Sequence, residues 1–421
     1  MISRKCPRSH VRFRLLSVAL LAGVLAAGSL GVQAEEEEKS ERSFAKALKK
    51  GDYGITLRYR YENVSDDFFE KDGRASTLRT TAFYRSARFH GLGFFLEFED
   101  VSDLGLSNEH NNLGAGDSWN GVLDRPVILD PPGTEINQVY AAYNGLPETE
   151  FLVGRQEINL GDQRYVGAVA WRQNHQSFDA VRIDQKSIPH TRLTYAYVDN
   201  ASRINGANQG MGTNLFDAEV TVGGAGRLTP YYYSIDFDSP TVLTPSTATY
   251  GLRWQGEWKP GGSWSFPYHV ELAQQDDTGD NPTTIDADYL RLELSGKRKM
   301  LSIFAGYEVL GGSLDDGRFT TPLATLHKFN GWADRFVVTP PNGLEDLYLG
   351  AGGNWEGVSL KLIYHDFGSD SLGLDYGSEF DFLATYKTSW KQTFAFKAAL
   401  YDADAWAADT NIFWVWTAYS F

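Results

Sequence analysis

The sequence predicts an all-β chain: an 18-stranded antiparallel transmembrane β-barrel with short periplasmic turns and long extracellular loops. Three observations predict it. Apolar and polar residues alternate with period two along most of the chain. The connections between these segments alternate between short and long. The chain closes on "NIFWVWTAYSF", Asn411 to Phe421, its most aromatic stretch. Chain ends are normally polar and frayed. A last strand with Phe413, Val415, Thr417, Tyr419 and Phe421 on one face therefore needs apolar or interfacial surroundings.

The N-terminus has a basic segment, "MISRKCPRSHVRFR", an apolar segment, "LLSVALLAGVLAAGSLG", and a small-residue "VQA" before a glutamate run. This reads as a secretory signal peptide over residues 1–34, cleaved after Ala34. Cys6, the only cysteine, leaves with it, so disulfides do not stabilise the mature chain. Removing the leader's five cations takes the net charge from -15 to -20. Residues 35–50 form a short charged segment with helical character, and residues 51–421 form the barrel. No apolar run after the leader is long enough for a transmembrane helix, and no linker or change in composition divides the chain.

The strands are plain by alternation. Ile55, Leu57, Tyr59 and Tyr61 oppose Thr56, Arg58, Arg60 and Glu62. Leu92, Phe94, Leu96 and Phe98 oppose Phe95, Glu97 and Glu99. The pattern repeats with Leu252 and Trp254 against Arg253, with Leu290, Leu292 and Leu294 against Arg291 and Glu293, and with Leu360 and Leu362 against Lys361. A sandwich would bury the apolar face; a transmembrane barrel turns it to lipid and the charged face to an aqueous lumen.

The connections decide between these. Short turns fall at His90-Gly91, Asn144–Glu148, Lys186–His190, Gly223–Gly226, Lys259–Ser263, Gly296–Lys299, Asn354–Gly357 and Thr388–Gln392. Nine longer loops alternate with these eight turns, which requires 18 strands with both ends on the short-turn side. Two loops are very long, Asp103 to Gly133 and Ser313 to Gly343. Closing the barrel removes exposed edges, and the last strand would close against the first.

Enzyme signatures are missing: there is no G-x-S-x-G, H-E-x-x-H or C-x-x-C. No cofactor, metal site or nucleic-acid partner is expected. The acidic "DDTGDN", Asp276 to Asn281, lacks EF-hand spacing and reads as a solvated loop. The informative residues are cations on inward parity: Arg58, Arg60, Arg79, Arg182, Arg192, Arg253, Arg291, Lys361 and Lys397. Such cations either form Arg-Glu ladders that stiffen the wall or create a positive constriction that draws carboxylates.

Two segments are denser. "FLVGRQEINLGDQRYVGAVAWRQNHQSFDAVRI" carries Arg155, Arg164, Arg172 and Arg182; "PLATLHKFNGWADRFVVTPPNGLEDLYLGAG" carries His327, Lys328, Asp334 and Arg335. The "GRQ" strand end, the "WRQN…FDAVRI" return, the "LHKFNGWADRF" loop and the terminal strand resemble the alginate export family of outer-membrane proteins. The resemblance implies an 18-stranded barrel in a Gram-negative outer membrane, with an arginine-rich constriction for anionic polyuronate and gating loops. The matching positions are Arg155, Arg172, Arg182, Lys328, Asp334 and Arg335, with Asp334 and Arg335 alternatively paired to each other. The expected partners are an acidic polysaccharide or other anionic solute, outer-membrane lipid, and the barrel-assembly machinery that reads a C-terminal aromatic. The resulting reading is an anion-selective porin passing an alginate-like polyuronate in the export direction. A porin for small organic anions or oligosaccharides is the alternative; a membrane-embedded hydrolase or an adhesin stands further off.

Overall fold

Eighteen strands close on themselves in the computed structural model, which describes residues 43–421; the segment expected to be a leader lies outside the described residues. A one-and-a-half-turn helix, α1 (Phe44–Lys49), precedes β1 (Asp52–Asp66), β2 (Gly73–Arg85) and β3 (Leu92–Asp103). The wall continues through β4 (Gly133–Leu146), β5 (Thr149–Gln156), β6 (Ser177–Gln185), β7 (Thr191–Ser202), β8 (Asn208–Thr221) and β9 (Arg227–Ile235). Next come β10 (Thr247–Trp258), β11 (Trp264–Asp277), β12 (Asp286–Arg298) and β13 (Leu301–Leu310). A small hairpin, β14 (Gly312–Ser313) and β15 (Gly317–Arg318), sits in the following loop, outside the barrel sheet. The wall resumes with β16 (Leu344–Trp355), β17 (Val358–Gly368), β18 (Asp375–Lys387), β19 (Thr393–Ala403) and β20 (Thr410–Ser420).

Each strand pairs antiparallel with its neighbours, and β20 pairs with β1 from Thr410 against Asp66 to Ser420 against Thr56. Phe421 completes the seam: its N–H donates to the Ile55 carbonyl and its carbonyl accepts from the Ile55 N–H, both at 3.0 Å. The eight short turns and nine longer loops lie where the sequence places them, so the chain ends share the short-turn end. Turn chemistry follows: Gly91 and Gly226 sit at φ 81° and 94°, where a side chain would meet neighbouring backbone.

The outward face is apolar and open. Leu294, Ile303 and Leu349 are 58%, 59% and 59% exposed. Water-soluble monomers rarely display such a contiguous surface, so this belt is the lipid contact. Aromatics gather near the short-turn end, where Trp258 and Trp264 lie close to Phe266 (ring centroids 5.3 and 6.1 Å).

The inward face carries the charge and most of the buried side chains. Residues 157–176 (L3, after β5) and 311–343 (L7, after β13) are not extended outside the barrel; both pack against inward wall residues. Tyr165 of L3 packs among Tyr231 and Tyr233 of β9, Tyr289 of β12 and Phe319 of L7, with ring centroids 5.2 to 6.1 Å apart. Val166 and Leu323 form a parallel bridge between the two loops, and both are fully buried. The hydrophobic core is therefore inside the lumen, made by loops against wall.

Candidate functional site

Charge along the wall determines how the loops dock. Register places Arg253, Glu271, Arg291, Glu308 and Asp346 side by side across β10, β11, β12, β13 and β16. Opposite charges on neighbouring strands attract, and Arg253 forks onto Glu271 at 2.9 and 3.0 Å. The row ends with two acids, a surplus that the loops supply with donors. Arg164 of L3 reaches Glu308 at 2.7 Å, and Asn330 of L7 donates to Glu308 at 2.8 Å and Asp346 at 3.2 Å. Burial works against the Arg164 charge, yet Glu308, together with Tyr289 and Tyr165, outweighs it and raises the pKa. Arg291 turns to L3, binding Asp162 at 2.6 Å and Glu293 at 3.2 Å. Burial alone would raise the Asp162 carboxyl; Arg291 and then Arg253 instead hold it well below the usual carboxylate range.

The other side of the lumen fastens the same loops. Arg172 of L3 bonds Glu62 of β1 at 3.2 Å and Asp334 of L7 at 2.8 Å. Arg60 of β1 pairs with Asp130, in the loop 104–132 (L2). His327 of L7 donates from Nδ1 to Asp334 at 2.8 Å, and its Nε2 accepts from Lys397 Nζ at 2.6 Å. Burial pushes the His327 pKa down to about 3, against the pull of Asp334, so the ring is neutral. Trp171 stacks on that ring at 4.4 Å and 6°, and Lys397 lies 3.7 Å from the Trp332 ring centroid. On β18, Glu379 accepts from the N–H groups of Trp332 and Ala333.

The expected site residues divide accordingly. Arg164, Arg172, Arg253 and Arg291 are lumenal but engaged with carboxylates. Arg182 is inward, opposite Leu152 in register, and shares Asp184 with Arg192; each forms a contact of 2.8 Å. Asp334 and Arg335 do not pair with each other: Asp334 takes Arg172 and His327, while Arg335 reaches Asp66 of β1 at 2.8 Å. Arg253 is taken by Glu271 across the strand pair, and Glu257 on its own strand meets Lys259.

Arg155 requires a correction. It pairs in register with Val139 and shares the outward face with Val153 and Phe151, against which Val181 and Ile183 are aligned. It is held there by a two-pronged bond to Asp179, at 2.8 and 2.9 Å. Gly154 and Gln156, not Arg155, occupy inward parity.

Fewer cations remain without an ion-pair partner among the described residues. Arg58 and Arg79 stand directly opposite each other on β1 and β2. Arg58 donates to the Trp171 carbonyl at 3.0 Å, and Arg79 donates to His175 Nε2 at 2.7 Å. Lys361 lies 5.6 Å from the Trp332 ring, and the exposed Lys328 donates to the Asp162 carbonyl at 2.7 Å. Sequence reasoning missed Asp130, Asp162, Glu308 and Glu379 as loop anchors. All but the loop acids were available from inward parity, where acids were set aside in favour of cations.

A closed 18-stranded barrel with a lipid-facing apolar belt and a charged lumen narrowed by its own loops defines an outer-membrane porin of a Gram-negative bacterium, not an enzyme. The sequence matches the alginate export family over residues 50–307, and the chain belongs to that family. No curated protein matches it. Among solved structures it is similar to OccAB2 of Acinetobacter baumannii, at 16% identity and TM-score 0.71, covering 89% of this chain and 98% of that one. OccK9 (OpdG) of Pseudomonas aeruginosa is similar at 16% identity and TM-score 0.70, covering 89% and 99%. OpdK of Pseudomonas aeruginosa, solved with vanillate, is similar at 14% identity and TM-score 0.69, again covering 89% and 99%.

Proposed function

We propose that this porin passes carboxylate-bearing solutes, with uronate oligosaccharides as the leading class. The observation that carries the reading is the opposed pair Arg58 and Arg79. Like charges directly across a strand pair destabilise a sheet, and neither guanidinium has a carboxylate at ion-pair distance among the described residues. Acids cancel Arg253 and Arg164, whereas Arg58, buried against the Trp171 carbonyl, and Arg79, bonded to His175, keep a positive field that favours a passing anion. Guanidinium suits carboxylate because its fork matches both oxygens and never loses its charge. Trp171, 5.4 Å from Arg58, is already stacked on His327, whereas the half-buried Trp416, 5.9 Å from Arg58, offers apolar surface to a sugar.

L3 and L7 narrow the lumen, so cargo moves as a slender chain or as a small molecule. Small organic acids are the second reading, favoured by the structural neighbour solved with vanillate, itself a carboxylate. Flux into liposomes tests both: oligogalacturonate should enter faster than a neutral oligosaccharide of equal length. Equal rates for the two would overturn the reading, and uptake restricted to monomeric acids would select the second.

A further inference from the structure

At the root of L3, three carboxylates, one imidazole and one amide converge on a point beside Arg79. Glu97 and Glu99 come from β3, Asn137 from β4, Glu157 begins L3, and His175 lies near its end. His175 Nδ1 stands 3.0 Å from Glu157 Oε1 and 3.3 Å from Glu99 Oε2, while Asn137 Nδ2 lies 2.7 Å from Glu97 Oε1 and 3.0 Å from Glu157 Oε1. One ligand atom each from Glu97, Glu157 and His175 falls within 4.8 Å of the others.

The hydrogen bonds of this cluster do not close. Glu99 is 1% exposed and its Oε2, aimed at His175, has no hydrogen-bond partner. Asn137 is also 1% exposed and its Oδ1 is likewise unpartnered, while its amide nitrogen faces three acceptors with only two hydrogens. Buried polar atoms are rarely left so. Among the described residues, these three carboxylates have no guanidinium or ammonium at ion-pair distance, only the His175 imidazole. The local backbone adds a second indication. Glu97 pairs with Gln138 and Phe98 with Ile136, so Asn137 is the extra residue of a β-bulge, which turns its side chain into the lumen next to that of Gln138.

The geometry points to a divalent-cation site formed by Glu97, Glu99, Glu157, His175 Nδ1 and Asn137 Oδ1. The amide turns over to present its oxygen, and the imidazole moves its proton from Nδ1 to Nε2, which requires Arg79 to give up its 2.7 Å donation to that nitrogen. Several oxygens with one imidazole suit Mn²⁺ or Zn²⁺ better than Ca²⁺, which takes oxygens alone. The side chains of Glu157 and His175 are 22% and 13% exposed, which gives an ion access from the lumen. A bound ion ties both ends of L3 to β3 and β4 and cancels the negative charge next to Arg79, so the site bears on pore size and charge together.

The test uses refolded full-length barrel in detergent, stripped with EDTA and dialysed, then titrated with Mn²⁺ and followed by the EPR signal of the free ion. Saturable uptake of one Mn²⁺ per chain, displaced by Zn²⁺, is the expected result. Glu157→Gln with His175→Gln should weaken it by more than about tenfold while heat-modifiable migration persists. Glu157→Gln alone, a change in a loop and not in the wall, serves if the double variant fails to fold. Absence of saturable uptake by the wild type, or unchanged uptake by a folded Glu157→Gln variant, overturns the proposal.

Discussion

Arg172 and Asp334 meet at 2.8 Å inside the barrel, although 162 residues separate them and each belongs to a different loop. Through this pair L3 and L7 act as one body. Glu62 on β1 binds the other face of Arg172, so the joined loops are also fixed to the strand that closes the barrel. Removing one member of a buried ion pair leaves an uncompensated charge, at a cost of about 3–5 kcal/mol. Asp334→Leu is therefore expected to free L7 without opening the wall. Single-channel recordings should show larger conductance with frequent flicker, while the melting of the barrel itself changes little. Quiet wild-type currents from this variant would show that the pair does not hold the constriction.

The neutral His327 makes loop docking depend on acid. Its folded pKa of about 3 lies below the free value of 6.5, so the undocked state takes up the proton first. The contribution is complete above pH 6.5 and is lost as pH falls toward 3. Between pH 7 and pH 4 the docked state should lose up to about 3 kcal/mol. Gating noise recorded across this range should rise on acidification in the wild type and stay flat in His327→Gln. A wild-type trace indifferent to pH would count against a neutral, latched imidazole.

Lumenal charge is tested by contrast between two kinds of arginine. Arg58→Glu with Arg79→Glu should move the reversal potential in a salt gradient toward cation preference. Arg155→Glu should leave it unchanged, because Arg155 lies on the outward face bound to Asp179. A shift from the outer arginine, or none from the inner pair, would refute this division.

Barrel closure rests on the terminal strand. Phe421→Asp puts a carboxylate on a residue that is 62% exposed on the outer face, beside Tyr419 at 5.1 Å. Anions on a lipid-facing wall are costly, so heat-modifiable barrel in the outer-membrane fraction should fall sharply. Undiminished yield would show that the seam from Thr410 to Ser420 suffices by itself.

The wall was legible because its information is local. Leu252, Arg253 and Trp254 state by alternation which face is which, and a turn such as Gly223–Gly226 needs no distant partner to be recognised. Parity also placed Arg58, Arg79, Arg253 and Lys361 correctly on the inner face. Arg155 was placed in the lumen by the family resemblance and not by parity, since Gly154, at φ 126°, and the short strand β5 give little apolar alternation to fix a phase.

The sequence by itself determined the barrel, its strand number, its closure by the last strand and the inward set of most cations. These follow from a period of two residues and from loop lengths, both properties of neighbouring positions. Only the tertiary structure decided which cations remain unmatched. Arg164 is silenced by Glu308, Arg172 by Glu62 and Asp334, and Arg291 by Asp162, all partners far away in the chain. Whether a lumenal charge is open or spent depends on which loop folds back against it, and that is fixed by packing between Tyr165, Phe319 and the wall, which no local pattern encodes.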